Sequence, residues 1–289
     1  MRKDFLFGFM QFGANHESLR NTVYSPAKLG HSDYFLLNKE VEVKREVAFY
    51  ADSFEADNVL ILLGGKIFDI QGCTDSERSS PGWVDCLLKY IYLAYREEGT
   101  EIFKRLYGDF AIAILDYRGK KFFLARDALG VVPLFFSVIN KGIIFGPSMA
   151  MVLGGQRHSS AFSASKVFTF LQGSELPSHL SCFENVYRLP ASHFLEFDQN
   201  GIANIRRYIQ LGRHVHQNNF SFEENAELMK AAFRRAVEQR LPVSGPIAAE
   251  VSGGIDSSSV FAVARSLAGD RLVPMSGIFS DHKDCDESE

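Results

Sequence analysis

From Asp109 to Asp116 the chain reads Asp-Phe-Ala-Ile-Ala-Ile-Leu-Asp, and Phe110, Ile112 and Ile114 alternate with Ala111, Ala113 and Leu115. At the two-residue period of a strand, this puts apolar side chains on both faces. Such a strand cannot border water, so it belongs in a sheet covered front and back. The neighbouring segments supply partners. Tyr117-Arg118-Gly119-Lys120 is a turn into a second strand, Lys121 to Arg126. Asn140-Lys141-Gly142 is a turn between strands Leu134 to Ile139 and Ile143 to Gly146. Strands joined by tight turns are antiparallel. A further strand, Ser192 to Asp198, meets Asn200-Gly201. Upstream, the apolar run Val59 to Leu63 closes on Gly64-Gly65 and leads through a loop to an apolar helix, Trp83 to Tyr95, which ends at Gly99.

After Asp198 the pattern changes. Ile209 to Asn219 loses its apolar rhythm and gathers His214, His216, Gln217 and two asparagines, which marks a domain boundary. The 289 residues suit two ordinary domains, here 1–208 and 221–289 with 209–220 as linker. Ser221-Phe222-Glu223-Glu224 is a capping box, and Phe222, Ala226, Met229, Phe233, Ala236 and Val237 recur at helical spacing, so a helix with a core-facing stripe opens the second domain. The two histidines lack a third ligand and read as solvated. Cys73, Cys86, Cys182 and Cys285 are widely spaced, which supports neither a metal site nor a disulfide framework; Cys86, in the apolar helix, is expected in the core. A net charge of −4 with interspersed signs gives no electrostatic case for a nucleic-acid surface. The longest early apolar run, Phe5 to Met10, is too short for a signal-peptide core or a membrane span, so a cytoplasmic protein is expected.

The chemistry concentrates in Val251-Ser252-Gly253-Gly254-Ile255-Asp256-Ser257-Ser258. Ile247 to Val251 is a short apolar strand, Ser252 to Asp256 a turn of mostly small residues, Ser257 to Leu267 a helix, and Leu272 to Phe279 a returning strand. In this βαβ unit an anion is expected where strand end meets helix start, because free N–H groups and the helix dipole converge there. Gly253 and Gly254 allow a phosphate to approach the backbone, and the Ser252, Ser257 and Ser258 hydroxyls add donors. Neither G-K-[ST] nor G-x-G-x-x-G occurs in the loop, so Walker-type and dinucleotide readings lose their motifs. An aspartate inside an anion loop needs a bridging divalent cation, so Asp256 is expected to be a Mg²⁺ ligand on a pyrophosphate.

S-G-G-x-D-S after an apolar strand resembles the signature of the PP-loop ATP pyrophosphatases, which cleave ATP between the α and β phosphates. The first domain sharpens the likeness. Leu106 to Ala111 and Leu124 to Phe136 resemble the G-x-F-A and A-R-D-x-x-G-x-x-P-L-[YF]-[YF] stretches of glutamine-dependent asparagine synthetases, and Tyr187 to His193 resembles their L-P-P-G-H segment. The resemblance implies an α+β domain followed by an α/β one. The first is an αββα sandwich of the amino-terminal-nucleophile hydrolase type; the second is the start of a PP-loop, Rossmann-like domain related to the adenine nucleotide alpha hydrolases. It implies ATP and Mg²⁺ as cofactors, with Val251, Ser252, Gly253, Gly254, Asp256, Ser257, Ser258 and Ile278 at the nucleotide and Asp256 on the metal.

Departures from the pattern are informative. Asp4 falls where the family places its nucleophilic Cys, and a carboxylate cannot do that thiol's work. Gly64-Gly65-Lys66 falls where the family has N-G-E, which reverses a charge at the glutamine pocket. Asp85 is either a relic of the remaining acidic glutamine contact or an ordinary helix-start carboxylate, and its long spacing to Gly99 favours the latter. Loss of glutaminase resembles the β-lactam synthetase and lasso-peptide cyclase branches, where an amine already in the substrate attacks the adenylated carboxyl. A small-molecule or peptide substrate carrying a carboxyl and an amine is therefore expected, with no nucleic-acid or membrane partner, and a homo-oligomer or a maturation protein as the protein partner. The other readings are a glutamine- or ammonia-dependent asparagine synthetase and a catalytically silent nucleotide-binding protein. The chain reaches Glu289 just after the second strand of the nucleotide unit, so a fragment or truncated product is expected.

Overall fold

The computed structural model describes residues 8–11, 32–37, 41–46, 52–71, 83–139, 142–154, 161–174, 177–212 and 219–277; the side chains of 8–11, 32–37, 41–46, 53 and 83–85 lie outside that description. The chain divides into two compact units, Met1–His214 and Val215–Glu289. Among the described residues no helix is long and apolar enough to cross a membrane.

The first unit begins with strands β1 (Gly8–Gln11), β2 (Ser32–Leu37), β3 (Val41–Glu46), β4 (Asp52–Ala56) and β5 (Val59–Ile70). Helix α1 (Trp83–Glu98) runs on as a 3₁₀ segment, Gly99–Arg105, into β6 (Leu106–Asp116) and β7 (Lys121–Arg126). Strands β8 (Phe135–Ile139) and β9 (Gly142–Gly146) precede two short helices, α2 (Met149–Gly154) and α3 (Ala164–Leu171). Strands β10 (Tyr187–Arg188), β11 (His193–Asp198) and β12 (Ala203–Arg207) complete the unit. A six-stranded sheet runs β12-β11-β7-β6-β5-β4, a four-stranded sheet runs β1-β9-β8-β10, and β2 and β3 form a separate pair. The neighbours within each are antiparallel.

The alternation along β6 sorts its side chains into two cores. Phe110, Ile112 and Ile114 join Ile61, Leu63 and Phe123 against Leu88, Ile91 and Tyr95 of α1 and Phe103 of the 3₁₀ segment. Ala111, Ala113 and Leu115 join Leu60, Leu62, Phe122 and Phe197 against Phe136, Ile143 and Phe145 of the smaller sheet. The Phe122 and Phe145 rings, one from each sheet, stand 5.3 Å apart. The far face of the smaller sheet, Phe135 and Ile144, packs on Val152 of α2. The layer order is thus helix, sheet, sheet, helix, as expected of an αββα sandwich, and both faces of β6 are covered as its sequence requires.

The buried pair Arg126–Asp127 ties the loop after β7 to this frame. Arg126 donates from Nε to the Val132 carbonyl at 2.7 Å, from Nη1 to the Leu189 carbonyl at 2.8 Å, and from Nη2 to the Gly130 carbonyl. The Asp127 carboxylate accepts the N–H groups of Leu129, Val131 and Val132 at 3.1, 2.9 and 3.0 Å. Burial, offset in part by the neighbouring Asp127 charge, draws the Arg126 pKa below its ordinary value. The A-R-D-x-x-G stretch is therefore a closed hydrogen-bond knot in which the charged side chains satisfy a loop backbone.

Three expectations need correction. The β5 strand does not stop at Gly64-Gly65 but continues through them to Ile70, with a register shift between Ile67 and Asp69. The glycines serve close packing: a Cβ on Gly65, at φ +88°, would lie 2.3 Å from the Asp109 carbonyl oxygen, and one on Gly108 would lie 2.4 Å from that of Lys66. Cys86 is exposed. Leu87, Leu88, Ile91, Tyr92, Ala94 and Tyr95 take the buried face of α1, leaving Cys86, Leu93 and Arg96 on the solvent side at helical spacing. The third concerns the helical stripe that opens the second unit, where Phe222 and Met229 are 83% and 69% exposed. Among the described residues only its end is covered: Val237 is buried and Phe233 packs against it.

Two substitutions test this frame. Gly65→Ala should cost about 1–3 kcal/mol through its clash with the Asp109 carbonyl. Asp127→Ala, which strands three part-buried N–H groups and the buried Arg126 charge, should cost about 3–5 kcal/mol. Urea unfolding monitored by tyrosine fluorescence reads both, and Asp127→Ala should be the more damaging.

Candidate functional site

Helix α4 (Phe222–Arg240) opens the second unit, followed by β13 (Ile247–Glu250), α5 (Ile255–Ala268) and β14 (Leu272–Met275). The start of α4 is the capping box its sequence predicts: the Ser221 hydroxyl accepts the Glu224 N–H at 3.1 Å, and the Glu224 carboxylate accepts the Ser221 N–H at 2.7 Å. Strands β13 and β14 are parallel, Ile247 opposite Leu272, with α5 as the crossover. Val237 of α4, Ala264 and Ala268 of α5, and Leu272 form the small core that holds the unit together. The end of β13 is thereby fixed beside the start of α5.

Two further bonds extend the strand pairing to the root of the loop. The Val251 N–H donates to the Met275 carbonyl at 2.8 Å, and the Ser276 hydroxyl donates to the Val251 carbonyl at 2.7 Å. The chain then turns through Ser252 and Gly253, which sits at φ +79°, a conformation that glycine adopts without strain. Among the described residues no heavy atom lies within 4 Å of a Cβ built on Gly253, and only the Ser252 Oγ, at 3.6 Å, approaches one built on Gly254. With respect to these residues the outside of the turn is open. Gly254 caps α5, and the first intrahelical bond runs from the Ser258 N–H to the Gly254 carbonyl at 3.1 Å. The N–H groups of Ile255, Asp256 and Ser257 thus have no carbonyl one turn back in the helix.

Asp256 occupies the first turn of α5, exposed, and its carboxylate makes no hydrogen bond or ion pair among the described residues. An open glycine turn, unpaired amides at a helix start and one free carboxylate match the donor set of a magnesium pyrophosphate, the amides facing the anion and Asp256 the cation. Of the residues expected here, Ser252, Gly253, Gly254 and Asp256 are exposed on the loop, and Val251, Ser257 and Ser258 are half-buried at its base. Ile278 lies outside the described residues. Ser276, which latches the loop root, carried no distinguishing signal, since a serine at a strand end is common.

At the positions that correspond to the family's glutamine pocket, Gly64, Gly65 and Lys66 lie within β5, opposite Ala111, Phe110 and Asp109. Lys66 is exposed, with Nζ 5.3 Å from the centre of the Phe68 ring. Asp85 sits in the first turn of α1, its side chain outside the described residues, as is Asp4. Cys73, Cys285, His214 and His216 are also outside them. Among the described residues no three His, Cys, Asp or Glu side chains gather into a metal-binding group.

Comparison with known proteins agrees with this two-part layout. Residues 85–209 match the family model of a glutamine amidotransferase domain, and residues 228–289 match that of asparagine synthase. Asparagine synthetase [glutamine-hydrolyzing] 3 of Bacillus subtilis is 26% identical over 74% of this chain and 35% of its own length. A putative asparagine synthetase [glutamine-hydrolyzing] 2 of Methanocaldococcus jannaschii is 23% identical over 90% of this chain and 50% of its own length. The chain spans half or less of these curated relatives. Among solved structures, an allosteric regulatory enzyme of purine biosynthesis aligns at 10% identity with a TM-score of 0.38, covering 95% of this chain and 60% of that one. A likeness that slight adds nothing to the layer order read from the packing.

Amidotransferase-type and synthase-type domains therefore follow one another along this chain, the first carrying the sandwich and the second the glycine turn. Both stretches are similar to proteins of the asparagine synthase family.

The latch at the loop root is open to test. Ser276→Ala, which removes the donor to the Val251 carbonyl, should lower the stability of the second unit by about 1 kcal/mol. Amide exchange at Val251 should quicken with it while exchange along β6 stays unchanged.

Proposed function

We propose that this chain is part of an ATP-dependent, AMP-forming amide ligase that activates a carboxylate by adenylation for attack by an amine. The observation that carries the reading is the open Ser252–Gly254 turn, backed by unpaired helix N–H groups and the free Asp256 carboxylate. The amides of Gly253 to Ser257 would receive the β and γ phosphates, Val251 and Ile278 would flank the adenosine, and Asp256 would hold Mg²⁺. The ion supplies positive charge where pyrophosphate departs. Both family matches support the reading, as do relatives named as asparagine synthetases.

The source of the amine is the finer question. The preferred reading is an amine already present in the substrate, closing a lactam or macrolactam of the β-lactam or lasso-peptide type. Its support is Asp4 at the place of the nucleophilic Cys and Lys66 at the place of an acidic glutamine contact. The second reading, a glutamine-dependent asparagine synthetase, is favoured by the relatives named as glutamine-hydrolysing.

Two measurements address these readings. Magnesium pyrophosphate should bind the full chain in titration calorimetry, and Asp256→Ala should weaken it about tenfold, since a lost charge-assisted contact is worth about 1.5–3 kcal/mol. Equal affinity in the variant would falsify the assignment of Asp256. Glutamate release from glutamine should not exceed the buffer control, with or without ATP; release that disappears when Cys73, Cys86, Cys182 or Cys285 is changed to Ala would favour the asparagine synthetase reading.

A further inference from the structure

The apolar stripe of α4 has the spacing of a seam between two helices. Phe222, Ala226, Met229, Phe233 and Ala236 follow one another at intervals of 4, 3, 4 and 3 residues. Phe222, Ala226 and Met229 are exposed, while Phe233 and Ala236 are half-buried near the end held by α5. The capping box fixes the start of this stretch as helix, so about three turns present the stripe to whatever meets it. The flanks of the seam differ in charge. Glu223 and Lys230 stand on one flank a heptad apart, and the uncharged Asn225 and Ala232 stand on the other. Lys230 reaches Glu227 of its own helix at 3.3 Å, with both side chains largely exposed, so that pair is weak and leaves the ammonium able to take a second partner.

We propose that this face of α4 docks on the same face of a second copy of the chain, the two helices lying antiparallel about a two-fold axis. A two-fold interface must be complementary to itself, and this one is, in shape and in charge. Turned end for end about the midpoint between Glu227 and Leu228, Phe222 meets the partner's Phe233 and Ala226 meets the partner's Met229. Ring then lies on ring, and the long, adaptable thioether lies over the smallest side chain of the seam. The same turn sets Glu223 beside the partner's Lys230, and symmetry repeats that ion pair on the other side of the axis. A parallel pairing would instead set Lys230 beside the partner's Asn225, so the charges select the antiparallel one. About a dozen residues a copy take part, fewer than the roughly 20–30 a side of a standard interface, so the dimer is weak, with a dissociation constant on the order of 10–100 μM.

Sedimentation equilibrium of the full chain from about 1 to 500 μM should follow it from monomer to dimer. In the dilute chain the amides of Glu223 to Ala232 should exchange quickly and slow as the dimer forms, while Val237 stays protected throughout. Met229→Glu changes a side chain exposed in the monomer, so it should raise the dissociation constant more than about tenfold without loosening Val237. Lys230→Glu should raise it about tenfold, because symmetry counts the pair twice, and adding Glu223→Lys to that variant should restore the dimer. A chain that stays monomeric at the highest concentration would overturn the proposal, as would a dimer indifferent to Met229→Glu or a double variant that fails to recover. Protection of Glu223 to Ala232 that persists on dilution would assign the face to a cover within one chain and overturn it equally.

Discussion

The first unit depends on one buried polar arrangement, the Arg126 guanidinium and Asp127 carboxylate between β7 and the loop that leads to β8. Charges taken out of water are costly unless every donor and acceptor finds a partner. Here the guanidinium reaches three carbonyls, on Gly130, Val132 and Leu189, and the carboxylate collects three amides. The Tyr208 hydroxyl adds a bond to the Arg126 carbonyl at 2.7 Å, and the Asp127 N–H reaches the Phe110 carbonyl at 2.9 Å. The chain leaves one sheet at Arg126 and enters the other at Phe135, so the knot occupies the crossing between the two layers. The sheets are glued by apolar side chains, which are not directional. The register of one sheet on the other needs a directional element, and these bonds provide one.

The second unit is organised on another principle. Its core is a handful of small and branched side chains, and what it fixes is a relation between a strand end and a helix start. Everything chemical in the loop follows from that relation. The amides are unpaired because they begin a helix, the turn is open because it is glycine, and Asp256 is near the positive end of α5 because it is the second residue of that helix. The first unit buries the Arg126 and Asp127 charges, whereas the second exposes its Asp256 carboxylate.

Much of this was legible in the chain, and the exceptions have physical causes. The period-two pattern of β6, the turns on either side of β7, the capping box of Ser221 and Glu224, and the βαβ order around Gly253 were all readable, because each is a local pattern with a local cause. The hairpin of β4 and β5 was passed over although Asp57-Asn58, both at positive φ, is a residue pair that favours such a turn. Gly64-Gly65 was misread as an end because glycine also punctuates strands; only the approach of the Asp109 carbonyl shows why a strand needs it there. Cys86 was misplaced because Leu87 and Leu88 make the whole stretch look apolar, while the helix buries only one side. The Ser276 bond to the Val251 carbonyl could not be read at all, since it depends on a distance between strand ends and not on residue types.

Helix α4 combines two kinds of order in nineteen residues. Every residue from Phe222 to Ala232 is exposed, so that stretch is held by terms a peptide would have: the capping box at its start and the Lys230 and Glu227 pair one turn apart. An isolated helix of this length is marginal in water. From Phe233 onward the helix is pinned by Val237 and its contacts with α5. The two halves therefore differ in the opening that would release their amide protons: brief fraying suffices for the first, while the second must wait for α4 to part from α5. A single rod of backbone hydrogen bonds thus has a soft end and a hard end, and the hard end is the one packed against the helix that carries Asp256 and Ser257.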